Sequence, residues 1–484
     1  MKIALLVIYF GVMVAIGIYC RKHTSGINNF VLGGRSVGPW LTAFAYGTSY
    51  FSAVVFIGYA GQFGWKYGIA ATWAGIGNAI LGSLLVWVVL GRRTRIMTQH
   101  FDSTTMPQFF GRRFQSPSLK IGASIIIFIF LIPYTASLFN GLSRLFGMAF
   151  NIDYTVCIIL MGVLTGIYVI AGGYMATAIN DFVQGCIMLV GICAVVGAIL
   201  NTQGGFSEAL HNLAAVSDST TTNGDVPGIY ASFFGPEPVN LLGVVLLTSL
   251  GTWGLPQMVQ KFYAIKSEDA IHKGTVISTI FVLVVSCGCY FMGGFGRLFS
   301  DQVDVATEGY DAIVPTMLSN LPELLIAIVV ILVLSASMST LSALVMTSSS
   351  TITLDLLKGN MVKKMNDFQA VFIIRCFIVV FIIISMVIAI IQYKYSISFI
   401  AQLMGVSWGA LAGAFLAPFL YSLYWKKATK AACWASFLFG AGVMSLNLLS
   451  NATGLFAFPA LLQSSINCGA FVMLAGVVIV PVVS

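Results

Sequence analysis

Thr248-Ser249-Leu250-Gly251-Thr252-Trp253-Gly254-Leu255-Pro256-Gln257 lies inside an apolar run of bilayer-crossing length, yet it cannot be one straight helix. Its glycines loosen the backbone, and Pro256 removes a donor and clashes with the preceding turn. A second weak stretch, Ala43-Phe44-Ala45-Tyr46-Gly47-Thr48-Ser49-Tyr50-Phe51-Ser52, comes near the start of the chain and is poor in strong helix formers. Unwound backbone at membrane depth is tolerated only against protein or a wet cavity. Each interruption opens a run of five apolar spans. That matched placement predicts a transporter core of two repeats, with the binding site at the breaks. Either stretch alone would read as packing glycine, which is common in membrane helices.

Composition supports the frame around these stretches. Of 484 residues, 58% are hydrophobic and only 8% charged. Soluble domains are about a quarter charged, so a soluble, disordered or coiled-coil chain is excluded. The apolar runs are about 20 residues long, the length of a membrane helix rather than of a barrel strand. Thirteen spans are predicted, near 2–20, 39–64, 69–91, 121–147, 154–172, 181–200, 239–259, 275–296, 321–346, 370–391, 396–423, 431–450 and 457–482. The organisation is a first span and loop (1–38), a first repeat (39–200), an extracellular loop (201–238), a second repeat (239–425) and two final spans (426–484). An odd number of spans per repeat gives the repeats opposite orientations.

Charge sets the predicted topology. Of the 24 lysines and arginines, eighteen fall on one set of loops, Lys22 and Lys363 among them. Lys2, Lys66, Arg144, Arg297 and Lys394 fall on the other, and Arg375 sits at a span end. The positive-inside rule makes the first side cytoplasmic, with the N-terminus outside and the C-terminus inside. The net charge of +8 is then a topology signal, and no basic domain exists to bind nucleic acid. The nine cysteines fall in or beside spans without a CxxC pair and read as small packing residues.

Catalytic motifs are missing. No GxxxxGK[ST] loop or HExxH occurs, and two GxSxG matches, at 34–38 and 405–409, lack the strand and helix that a nucleophile elbow needs. An enzyme is therefore not expected. A cation site can be argued instead from Ser335-Ala336-Ser337-Met338-Ser339-Thr340-Leu341-Ser342 in the ninth span. Residues three and four apart share a helix face, so Ser339 and Thr340 can aim their hydroxyls at the Ala336 carbonyl. The gap in the second span can add the free carbonyls of Thr48 and Phe51. Such hydroxyls also bond back to their own helix or join helices; the clustering opposite a break favours the ion. Proton-driven carriers usually need a titratable group at depth. The predicted span interiors have none, with Asp181 placed at the cytoplasmic mouth of the sixth span. Sodium is therefore favoured over protons. Asp181 is either that helix's N-cap or an attractor for the departing ion.

The chain resembles the sodium:solute symporter family over essentially its whole length. The most specific stretches are 49–52 with 56–58, 171–174 with 180–185, 254–257 with 272–274, and 338–342. The resemblance implies an all-α membrane protein of about 13 transmembrane helices, with a LeuT-type five-plus-five inverted-repeat core. It also implies a sodium site on Thr48, Phe51, Ala336, Ser339 and Thr340, and a family aspartate at Asp181.

The resemblance leaves the solute as a small organic acid or zwitterion. Tyr50 stands where proline carriers of the family have aspartate. With 254–256 and 272–274, it looks most like the pantothenate branch. The solute is expected near Ser52, Tyr134, Thr252, Trp253 and Gln257, where helix ends can meet a carboxylate, with Trp408 as a candidate gate. Sodium-coupled uptake across the plasma membrane is expected, with sodium, a small solute and lipid as partners and no organic cofactor. The rivals are a proton-coupled carrier of the same fold and a solute sensor. The sensor is disfavoured because no regulatory domain follows the last span before Ser484.

Overall fold

The computed structural model describes residues 2–21, 26–150, 152–358, 361–362, 364–395 and 400–484. Lys22, Lys363 and the predicted start of the eleventh span at 396–399 lie outside them. Among the described residues the protein is helical, with no strand beyond isolated bridges. This follows from composition, because in lipid each backbone amide must be satisfied within its own segment.

Among the described residues, nine helices are long and apolar enough to cross a bilayer, and ten with the bent pair Pro238–Gly254 and Pro256–Ala264. The difference from thirteen lies in how breaks divide the chain. Tyr154–Thr202 is a single 49-residue helix by hydrogen bonding, broken at Gly173 (φ 58°, ψ −159°). At 1.5 Å per residue each part is long enough for a crossing. Residues 173–180, expected as a loop, are helical except at Gly173. A Cβ there would lie 3.0 Å from the Phe30 ring and carbonyl, so the sharp turn needs glycine. Val54–His100 likewise joins the end of the second span to the third, with Gly68 in the left-handed region between them. The first span, the 19-residue helix Lys2–Cys20, is a further crossing candidate, and the opening of the second, Pro39–Tyr50, is a separate helix of 12 residues.

Asp181 is corrected by this geometry. It lies within the continuous helix after Gly173 and is 1% exposed, so it is neither an N-cap nor at an open mouth. The census of span interiors therefore has a buried carboxylate that helix prediction placed at an end.

The two expected breaks are present. Pro39–Tyr50 ends where Phe51 becomes extended (φ −101°, ψ 138°), and helix resumes with Ala53 and Val54–Tyr59. Pro238–Gly254 ends at Leu255 (φ −75°, ψ 121°), and Pro256 begins the next helix at a 45° bend. Proline forces its predecessor out of the helical region and is itself well suited to a first helical position. Around these breaks pack Glu323–Thr351 (ninth span) and Ile400–Tyr424 (eleventh). The apolar window of the eleventh is 94% buried, against 33% for Asp367–Lys394, so the former is core and the latter faces lipid.

Candidate functional site

The first break is clamped from both sides by the ninth span. Thr340 donates its hydroxyl to the carbonyls of Phe51 (2.7 Å), Ala336 (3.1 Å) and Thr48 (3.2 Å). Ser339 donates to Thr48 (3.0 Å) and Ala336 (3.2 Å). The structure thus gathers all five residues proposed for a cation into one cluster, each no more than 2% exposed. Three carbonyl and two hydroxyl oxygens, all neutral and shut off from water, form a donor set for a hard monovalent cation. The Thr48 and Phe51 carbonyls can accept these hydroxyls because the chain leaves the helix at Phe51, so the i→i+4 ladder stops there.

The amide side of the break is held by a residue the sequence did not single out. Ser337 accepts the Ala53 amide at 2.8 Å, and Ser52 accepts the Val54 amide at 3.2 Å. Both act as N-caps for the resumed helix. Ser337 lies in the same Ser/Thr-rich run as the cation candidates. Its position opposite a loose amide was the missing piece, and no spacing rule supplies that.

The five solute candidates divide. Ser52 uses its hydroxyl as the cap just described. Thr252 donates to Gly82 (2.9 Å) and Ser249 (3.0 Å), and the Trp253 indole donates to Leu81 (2.9 Å). These two side chains spend their donors joining the seventh span to the third. Gln257, 1% exposed and one residue past Pro256, has both amide atoms without a partner. Tyr134 is fully buried, with its ring edge-on to Trp408 at 6.0 Å. Trp408 also lies 5.7 Å from the Tyr50 ring, and Tyr50 donates to the Thr248 carbonyl at 2.5 Å. Tyr50, Trp408 and Tyr134 therefore form an aromatic row beside the first break, anchored to the second broken span. Trp408 fits there because a Cβ at position 251 would meet its ring at 2.3 Å; only glycine leaves that room.

Asp181 pairs with Lys261, Oδ2 to Nζ 3.7 Å, with both side chains at least 96% buried. Lys261 lies in Pro256–Ala264 and stands 5.3 Å over the Tyr174 ring. The pair joins the sixth span to the helix after the second break.

The model of the Sodium:solute symporter family matches residues 30–440. The osmoregulated proline transporter OpuE of Bacillus subtilis is 29% identical over 98% of this chain and 93% of its own. The sodium/proline symporter of Staphylococcus aureus is 30% identical over 91% of this chain and 84% of its own. Among solved structures, a substrate-bound, outward-open Na+-coupled sialic acid symporter superposes with a TM-score of 0.77 at 18% identity. That match covers 100% of this chain and 98% of the other.

Proposed function

This chain belongs to the sodium:solute symporter family, and from that premise we propose that it takes up L-proline, or a close zwitterionic relative, on the plasma-membrane sodium gradient. It is a multi-pass, sodium-coupled solute transporter and not an enzyme. The names of its relatives favour proline over the pantothenate-like solute suggested by Tyr50 and by 254–256.

The observation that carries the mechanism is the oxygen cluster spanning Thr48, Phe51, Ala336, Ser339 and Thr340. In our reading these five residues hold the transported sodium. The ion would bridge the broken second span to the ninth, so its arrival stiffens the break and its departure loosens it. Neutral ligands suit an ion that must leave again. A membrane potential adds about 2.3 kcal/mol per charge per 100 mV to uptake.

The solute would lie between the aromatic row and the second break. Its carboxylate can meet the unpartnered Gln257 side-chain amide at the start of Pro256–Ala264. Its ring and ammonium can lie against Tyr134 and Trp408, and Trp408 would move as the path opens. The buried Asp181–Lys261 pair would keep the cytoplasmic side closed, and its separation would open the path by which sodium leaves. Residues 39–200 and 239–425 act as the two repeats, with the N-terminus outside.

Uptake of labelled L-proline into proteoliposomes tests this. An inward sodium gradient should drive accumulation, and a proton gradient without sodium should not. Equal uptake with and without sodium would sink the coupling. Sodium-driven uptake of another solute, with none of proline, would sink the substrate.

A further inference from the structure

A cavity of about 740 Å³ opens on the face that the positive-inside rule makes cytoplasmic, with none of the sodium or solute candidates on its wall. Arg112, Lys120 and Lys358 line it, together with Asn28, Thr104 and Gln108. Three spans bring their ends here. Lys120 lies in the first turn of Pro117–Phe150, Lys358 follows Glu323–Leu357, and Asp367 opens Asp367–Lys394. The charged wall therefore sits where apolar helix gives way to water, the level of lipid headgroups.

The charges on the wall favour an anion. Asp102 and Asp367 also line the cavity, but each has a partner. Arg112 stands 3.9 Å from Asp102, and Lys358 stands 3.4 Å from Asp367. Lys120 has no ion pair within 4.0 Å among the described residues, so one positive charge is left over. Asp355 is fully buried behind the wall, where it accepts the Thr105 hydroxyl at 2.7 Å. Pro117–Phe150 begins at this wall, and the N-terminal end of a helix adds further positive potential. The polar groups are also held in place. Arg112 donates to the carbonyls of Phe101 and Asp102, and Gln108 accepts the Thr104 amide and hydroxyl at 3.1 and 2.9 Å. The volume lies within the roughly 300–1,000 Å³ typical of small-molecule sites.

We propose that this cavity holds the phosphate of an anionic inner-leaflet phospholipid with a polyol headgroup. Basic pockets between membrane helices on the cytoplasmic side suit such headgroups. Arg112, Lys120 and Lys358 meet the phosphate oxygens, and Asn28, Asp102 and Gln108 meet the headgroup hydroxyls. The acyl chains leave along Asp367–Lys394, whose apolar window is only 33% buried. Its Phe368 and Phe372, one turn apart and both exposed, offer them an apolar face. A seated lipid ties the cytoplasmic ends of the fourth, ninth and tenth spans together. The site rests on the orientation read from charge and not on which solute is carried.

The test is equilibrium binding of radiolabelled phosphatidylglycerol to the full chain in mixed detergent micelles. Saturable binding is expected, with phosphatidylcholine a competitor weaker by about tenfold or more. This competition uses the unaltered chain and so does not depend on a variant folding. Arg112→Gln with Lys120→Gln should weaken binding roughly 30-fold, the effect of two charges lost at the membrane surface. Lys426→Gln with Lys427→Gln removes the same charge from the same predicted face, away from the cavity wall, and should leave binding unchanged. Millimolar inorganic phosphate should not displace the lipid. Displacement would assign the cavity to a soluble phosphate and overturn the lipid. Equal competition by phosphatidylcholine, or equal weakening by the two charge pairs, overturns the site.

Discussion

Thr340 of the ninth span donates its hydroxyl to the Phe51 carbonyl across 2.7 Å, and this bond crosses from one run of five spans to the other. It ties an intact helix to the point where the second span leaves helical geometry. Any cation seated among the neighbouring oxygens must turn these hydroxyl lone pairs toward itself. In the proposed site, binding an ion and holding the break would thus be one event.

Removing both hydroxyls should weaken sodium without unfolding the chain. Two ligands at about 1 kcal/mol each correspond to roughly a 30-fold change in affinity. Ser339→Ala with Thr340→Ala should raise the sodium concentration for half-maximal uptake by about that factor. A sodium titration of uptake checks this, and an unchanged midpoint would exclude both residues from the site.

Gly251 is required by its neighbour rather than by its own backbone. A methyl group there would strike the Trp408 ring at 2.3 Å. Gly251→Ala should displace Trp408 from Tyr50 and Tyr134 and reduce proline uptake at least tenfold. Size-exclusion behaviour should remain that of the unaltered protein. Normal uptake by a folded variant would show that the aromatic row is not used.

The Asp181–Lys261 pair is buried, so its partners depend on each other. Taking away one leaves an unpaired charge in the interior, at a cost of roughly 3–5 kcal/mol. Lys261→Met and Asp181→Asn should each lower the melting temperature, because each strands the partner's buried charge. Combining the two should recover most of the loss. Additive losses in a double-mutant cycle would show that the residues are not coupled.

Outside the membrane, Asp218 clamps the 201–238 loop to Arg297 at 2.9 Å, and the guanidinium stacks 4.0 Å from the Tyr230 ring. Partial burial acts to raise the Asp218 pKa. The bonds from Thr220, Arg297 and Thr221 outweigh it, and the carboxyl is held well below its ordinary range. A depressed folded-state pKa means that the stabilisation is present above the unfolded value, about 3.9. It is lost progressively as pH falls from that value toward the lower folded one. Asp218→Asn should therefore destabilise the protein by about 2 kcal/mol at neutral pH. Melting curves of the two proteins should converge only in strong acid; a constant gap down to pH 2 would contradict the linkage.

Much of this was already written in the chain. Pro256 after Leu255 fixes the second break because a proline ring permits little else. The Ser/Thr run at 335–342 lies at helical spacing, so three of the five clustered residues share a face by helix geometry alone. The apolar run lengths require membrane helices, since lipid offers the backbone no other partner. Tertiary structure decided what lies opposite what. Ser337 became a cap only because the loose Ala53 amide faces it. Thr252 and Trp253 turned their donors to the third span, which no local pattern records. Asp181 moved from a helix end to a buried ion pair because Gly173 turns the chain without a loop. Helix type and break position follow from forces within a few residues, whereas hydrogen-bond partners depend on where remote segments come to rest.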